Sequence, residues 1–254
     1  MSALLVAQNT FREVVRDRVL AGIVAGGLVL LAVARAASPL AMGEGLRLTV
    51  DLGLSSVSWL GLLVVLTVGT ALVAKEIDRR TIFNLLSRPL PRPLYLLGKW
   101  LGLSASLAVV AAALGVALWG LLALLGHAAY GGAVAQAVYL ATLELAVVSS
   151  LAVMFSALST PVLSALYTLG FFLAGQWCDD LRRLASHSPA GARELLDGAA
   201  NVLPNLPLFN MRALAAAGEL TTWAHLGVAS LYAVLYSACV LALAAAAFES
   251  RDFK

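Results

Sequence analysis

The chain has 254 residues, 61% of them hydrophobic and 12% charged, with 17 Lys and Arg against 14 Asp and Glu for a formal net charge of +3. So apolar a composition falls outside the range of soluble globular domains and describes a membrane protein. The small basic excess suits an anionic membrane surface and calls for no nucleic acid.

In residues 1–18, Leu4, Ala7, Phe11, Val14 and Val15 recur at helical spacing opposite Asn9, Arg12, Glu13, Arg16 and Asp17. This predicts an amphipathic helix lying in the membrane interface. Ala34-Arg35-Ala36 imitates a signal-peptide cleavage site, but the region before the apolar run is too long and carries Glu13 and Asp17, so the run reads as a retained span. Crossing about 30 Å of hydrocarbon takes about 20 mostly apolar residues at about 1.5 Å each. Six stretches are predicted to cross: Val19–Ala37, Leu54–Ala74, Leu101–Leu125, Ala133–Ala157, Val162–Trp177, the shortest, and Ala224–Ala247. None alternates as a barrel strand would, so all are read as helices of one domain, residues 1–254, without a repeat or a separate soluble part.

Between the second and third stretches lies KEIDRRTIFNLLSRPLPRPLYLLGKWLG, Lys75 to Gly102. Ile82, Phe83, Leu85 and Leu86 give it an apolar side, and Lys75, Glu76, Asp78, Arg79, Arg80, Asn84 and Arg88 a charged one. Pro89, Pro91 and Pro93 then predict a stiff extended link into span three. The segment reads either as a solvated loop or as a docking surface through which a soluble partner pushes span three.

Glu144, in YLATLELAVVSS, is the central ionisable residue of the spans. A charge there costs about 2.5 to 3.5 kcal/mol on insertion scales, so it faces the bundle, a cavity or a partner. It is read as packing glue, bonded to serine or threonine, or as lining for a substrate path. Gly22 and Gly26, and Gly98 and Gly102, form GxxxG pairs suited to close helix contact.

Residues 178–223 are predicted to form the major extracytoplasmic segment, with short helices at Leu195–Ala200 and Met211–Ala217 lying at the outer surface and broken by Pro204 and Pro207. Cys178 and Cys239 fall at different depths, which disfavours a disulfide. His127, His187 and His225 lack metal-ligand spacing and are read as solvated loop residues. No phosphate loop, nucleophile elbow or HExxH motif is present, so the chain has no catalytic site of its own; any ATP is bound by another chain. Arg12, Arg16, Arg18, Lys75, Arg79, Arg80, Arg88, Arg92, Lys99, Arg251 and Lys254 fall on one side of a six-span topology. Arg35, Arg47 and four arginines diluted among acids, Arg182, Arg183, Arg193 and Arg212, fall on the other. The positive-inside rule then puts both termini in the cytoplasm.

The Lys75–Gly102 stretch resembles the signature of type-2 ATP-binding-cassette (ABC) transporter permeases, an acid-containing KE-x-x-x-x-T-x-x-x-LLS-x-P helix followed by an arginine and then GK. FREVVRDRVL, LPNLPLFNMR and FESRDF agree with it in order along the chain. Glu76, Thr81, Leu85, Leu86, Ser87 and Pro89 match the coupling-helix pattern, and Arg92, Gly98 and Lys99 its exit. The chain departs from the pattern at Pro91 and Pro93, which flank Arg92, and at Glu249 and Ser250, where bases are common. The resemblance implies an all-α, multi-pass protein of the cell inner (plasma) membrane. It would have an interfacial helix over 1–18, six spans and a cytoplasmic coupling segment over 75–99. It further implies an exporter permease working as a dimer, with a second copy or a homologous permease, on two cytoplasmic ABC ATPase subunits that hold the ATP, in contact with membrane lipids. Glu76, Arg79, Arg80, Thr81, Phe83, Leu85, Leu86 and Arg92 would carry the coupling. The alternative is a membrane anchor or assembly protein that recruits a soluble partner without moving solute.

Overall fold

The computed structural model describes residues 3–41, 43–72 and 92–249, and every regular element among them is helical. An interfacial-type helix α1 (Ala3–Val15) precedes α2 (Arg18–Ala37), which starts where Asp17 accepts a hydrogen bond from the Val19 amide at 2.9 Å. Next come α3 (Gly45–Thr67), α4 (Arg92–Leu124) and α5 (Gly131–Leu158). Thr160 ends the turn after α5, and Pro161 opens α6 (Pro161–Gln176), where its missing amide costs no helical bond. Three short helices, α7 (Cys178–Ser186), α8 (Ala190–Val202) and α9 (Arg212–Ala216), lead to α10 (Trp223–Glu249).

Among the described residues five helices are long and apolar enough to cross a membrane: Arg18–Ala37, Gly45–Ala71, Pro93–Leu124, Ala128–Leu158 and Trp223–Ala247. The hub is α5, which packs against α3, α4, α6 and α10. It runs parallel to α3, since Ser58 meets Glu144, Gly61 meets Leu145 and Gly69 meets Ala152 in rising order. The missing side chains at Gly61 and Gly69 let the two backbones approach. On its other flank, Trp100 Nε1 donates to the Ala146 carbonyl at 2.9 Å, and the Ser104 and Ser149 hydroxyls bond at 3.1 Å, tying α4 to α5.

Four sequence expectations change. The second span begins at Gly45 rather than Leu54, because Arg47 and Asp51 are carried on the outward side of a helix whose other side is buried. The third begins at Arg92 rather than Leu101: Pro93 sits in the first turn of α4 instead of an extended link, and Lys99 is a buried helical residue, only 2% exposed. The fifth expected crossing, α6, is shorter than the five helices long enough to cross. Its 16 residues rise about 24 Å, short of the about 30 Å required.

The fourth change concerns the segment after α6: the two expected short helices are present, within Ala190–Val202 and at Arg212–Ala216, and residues 178–201 are largely exposed, but the part beyond Val202 does not stay at the surface. Tyr236 and Tyr232 lie well inside α10, yet the Tyr236 hydroxyl donates to the Val202 carbonyl at 3.0 Å and the Tyr232 hydroxyl accepts from the Asn205 amide at 2.8 Å. A Cβ on Gly175 would meet the Pro204 carbonyl oxygen at 2.7 Å, so the end of α6 touches this segment backbone to backbone. Residues 202–216 therefore re-enter the bundle and take the column that α6 leaves empty, with Leu206, Phe209, Ala215 and Ala216 buried. Proline at 204 and 207 breaks the helix but leaves the apolar side chains to fill this space.

Candidate functional site

Glu144 lies midway along the 28 residues of α5 and is 3% exposed. Its Oε2 accepts from the Ser58 hydroxyl at 3.1 Å, midway along the second span, and its Oε1 accepts from Gln176 Nε2 at 2.7 Å, at the last residue of α6. One carboxylate thus joins three helices at the centre of the bundle. Both oxygens are occupied, which is how a buried polar group offsets its desolvation.

About one turn of α3 from Ser58, the Ser55 hydroxyl accepts from Arg212 Nη1 at 2.8 Å. Arg212 is held in turn by Asn210, whose Oδ1 accepts from its Nε at 3.0 Å. Arg212 brings the re-entrant segment to the same site, and its positive charge attracts the Glu144 carboxylate. His225, in α10 rather than in a loop, has its Nε2 2.9 Å from the Leu208 carbonyl. The arrangement is a polar knot at mid-depth, closed from one end by residues 202–216. Its bonds tie α3, α5, α6 and the re-entrant segment together.

A second constellation lies at the other end of α4. Cβ atoms on Gly98 and Gly102 would lie 2.8 Å from the Ala3 carbonyl oxygen and 2.5 Å from the Ala7 carbonyl oxygen, so α1 is seated directly on the α4 backbone. Lys99, between those glycines, pairs with Glu13 at 3.9 Å and lies over the Tyr95 ring at 5.9 Å. The other GxxxG pair behaves differently: around Gly22 and Gly26 there is open space within the chain.

Of the residues expected to carry function, Glu144 is at the centre of the knot, and Arg92 opens α4. Glu76, Arg79, Arg80, Thr81, Phe83, Leu85 and Leu86 lie outside the described residues. Reading the sequence alone missed Ser55, Ser58, Gln176, Asn210 and Arg212 as a group. Arg212 and Asn210 were in view within LPNLPLFNMR, and Gln176 interrupts an apolar run, but no spacing rule brings them to Glu144.

Comparison with protein families matches residues 4–178 to the family described as ABC-2 family transporter protein. No curated protein matches the chain. The match covers α1 to α6 and includes the Lys75–Gly102 stretch, the α1–α4 seat and Glu144. The chain therefore belongs to the ABC-2 transporter family, as a multi-pass membrane permease component of an ABC transporter.

Proposed function

We propose that this chain is the permease subunit of an ATP-driven exporter, coupled through residues 75–91 to a separate cytoplasmic ABC ATPase, with both termini on the ATPase side. The observation that carries the reading is the continuity of α4. It begins at Arg92, directly after the coupling-like stretch, is gripped by α1 through Gly98, Lys99 and Gly102, and meets α5 through Trp100 and Ser104. A displacement delivered at residues 75–91 passes along one helix to the element that carries Glu144. The ATPase must contact that stretch differently in its two states, since a ligand shifts an equilibrium only by its differential affinity.

On this reading residues 202–216 are the part of the permease that moves to open the far side, held shut by the bonds of Arg212 to Ser55 and of Val202 and Asn205 to Tyr236 and Tyr232. A second permease copy, identical or homologous, covers the flank made by α6 and α7. There Asp179, Asp180, Arg182 and Arg183 follow directly on Gln176 and are exposed within the chain, a charged end to α6 that a second copy can pair with.

Purification of the intact chain from membranes should bring down an ATPase, and exchanging residues 76–88 for a flexible Gly/Ser segment should abolish ATP-dependent transport in proteoliposomes. Recovery of the chain without any ATPase, or full transport by the exchanged protein, would overturn the reading and leave a membrane anchor.

A further inference from the structure

We infer that the elbow between α1 and α2 is a binding site for an anionic phospholipid, with Arg12, Arg16 and Arg18 on the headgroup phosphate. This goes beyond the permease reading and does not depend on it.

The α1 helix has three sides. Ala3, Val6, Ala7, Thr10 and Val14 face α4, and the close approach at Gly98 and Gly102 fixes that side. At 3.6 residues per turn, Leu4, Phe11 and Val15 fall together on a second side, where Leu4 and Val15 are exposed. Arg12 falls on a third side with Leu5 and Asn9, and Arg16, in the turn just past α1, extends it; both arginines are exposed, as is Arg18 at the start of α2. Because the first side is clamped, the apolar and basic sides cannot rotate away from each other's border.

The acids nearby are already engaged. Glu13 pairs with the buried Lys99, and Asp17 caps α2 through the Val19 amide. Among the described residues Arg12, Arg16 and Arg18 make no ion pair. Arg12 lies in the last turn of α1 and Arg16 in the turn just past it, its amide bonded to the Arg12 carbonyl at 3.2 Å, so two like charges crowd the elbow and an anion between them relieves their repulsion. Arginine forks suit phosphate oxygens, and an exposed apolar stripe beside them suits the acyl chains attached to the same phosphate. A free anion would use the arginines and leave Leu4 and Val15 in water. The charge and the stripe together select a lipid.

The test uses the full chain in nanodiscs that mix zwitterionic and anionic phospholipids, without ATPase, with bound lipid read by spin-labelled probes. The wild type should prefer anionic lipid by about fivefold per arginine engaged, with the preference falling as salt rises. Arg12→Gln/Arg16→Gln/Arg18→Gln should lose it; Arg182→Gln/Arg183→Gln, on α7, should keep it. Arg16→Gln alone should lose part, so poor insertion of the triple variant leaves the inference testable. Unchanged preference in the triple and single variants would overturn it. So would displacement of the lipid by inorganic phosphate, which marks a free-anion site. A triple variant that retains lipid but no longer copurifies with an ATPase would overturn it as well, marking a protein-docking surface.

Discussion

Gln176 donates a 2.7 Å hydrogen bond to Glu144, so the last residue of the 16-residue α6 is pinned to the midpoint of α5. That single contact sets where α6 stops and where the re-entrant segment takes over its column.

Replacing Glu144 by Gln keeps a carbonyl oxygen for Gln176 and an amide to donate to Ser58, whereas Leu leaves the buried Ser58 and the half-buried Gln176 without this partner, at about 1 to 3 kcal/mol. Glu144→Leu should lower the thermal stability and yield of the purified chain, and Glu144→Gln should not. If Glu144→Gln assembles normally but loses transport, the carboxylate lines the path and is more than packing.

The two GxxxG pairs should respond oppositely to added bulk. A side chain at Gly102 collides with the Ala7 carbonyl oxygen, and backbone cannot step aside cheaply, so Gly102→Val should cost about 1 to 3 kcal/mol and release α1 to limited proteolysis. Gly22→Val meets nothing within the chain and should leave stability of the isolated chain unchanged. Equal effects of the two would mean that α1 is not seated on α4.

Arg212→Ala removes the bond to Ser55 and the positive charge near Glu144. Residues 202–216 should loosen, seen as faster amide exchange of that segment with α3 and α4 unaffected. Unaltered exchange there would show that Arg212 is not a latch.

Thiol chemistry maps the outer segment. Cys178 is fully buried, its Sγ bonds to the Ala200 carbonyl at 3.4 Å, and burial pushes its thiol up from the ordinary value, so little thiolate is present at neutral pH. Cys239 is exposed but sits inside the apolar α10, out of reach of a charged reagent, so a membrane-impermeant maleimide should label Ser188→Cys in intact cells while the native protein stays unlabelled. Labelling of the native chain at the same rate, or none of Ser188→Cys when folded, would contradict the placement of residues 178–223 outside.

If residues 76–88 are a coupling helix, Phe83 fills a groove of the ATPase and Arg79 sits at the rim. Phe83→Ala should then weaken ATPase association more than Arg79→Ala, and the Arg79 effect should shrink with salt. Pro91→Ala should keep association and lower transport, since it slackens the link just before α4. The reverse ranking of Phe83 and Arg79 would sink the groove.

Apolar runs longer than a bilayer is thick need only the chain's own order to be recognised, and this made the all-helical membrane class, most of the spans and the Lys75–Gly102 motif legible without coordinates. The charge at Glu144 was legible too, because a lone carboxylate in an apolar run must find partners somewhere. Which partners it finds is a matter of packing: Ser58, Gln176 and Arg212 are 86, 32 and 68 positions away, and no periodicity links them. Hydropathy also cannot tell a helix that spans the full thickness from one about 24 Å long, nor an apolar, proline-broken loop at the surface from one that packs back into the bundle. Lys99 shows the same limit at the other end of α4, since a cation read as a loop residue becomes a buried helical one once α1 brings Glu13 against it. Sequence determines which segments prefer lipid to water; the tertiary contacts decide how far each enters, because burial of a polar group is repaid only by a partner that folding brings from elsewhere in the chain.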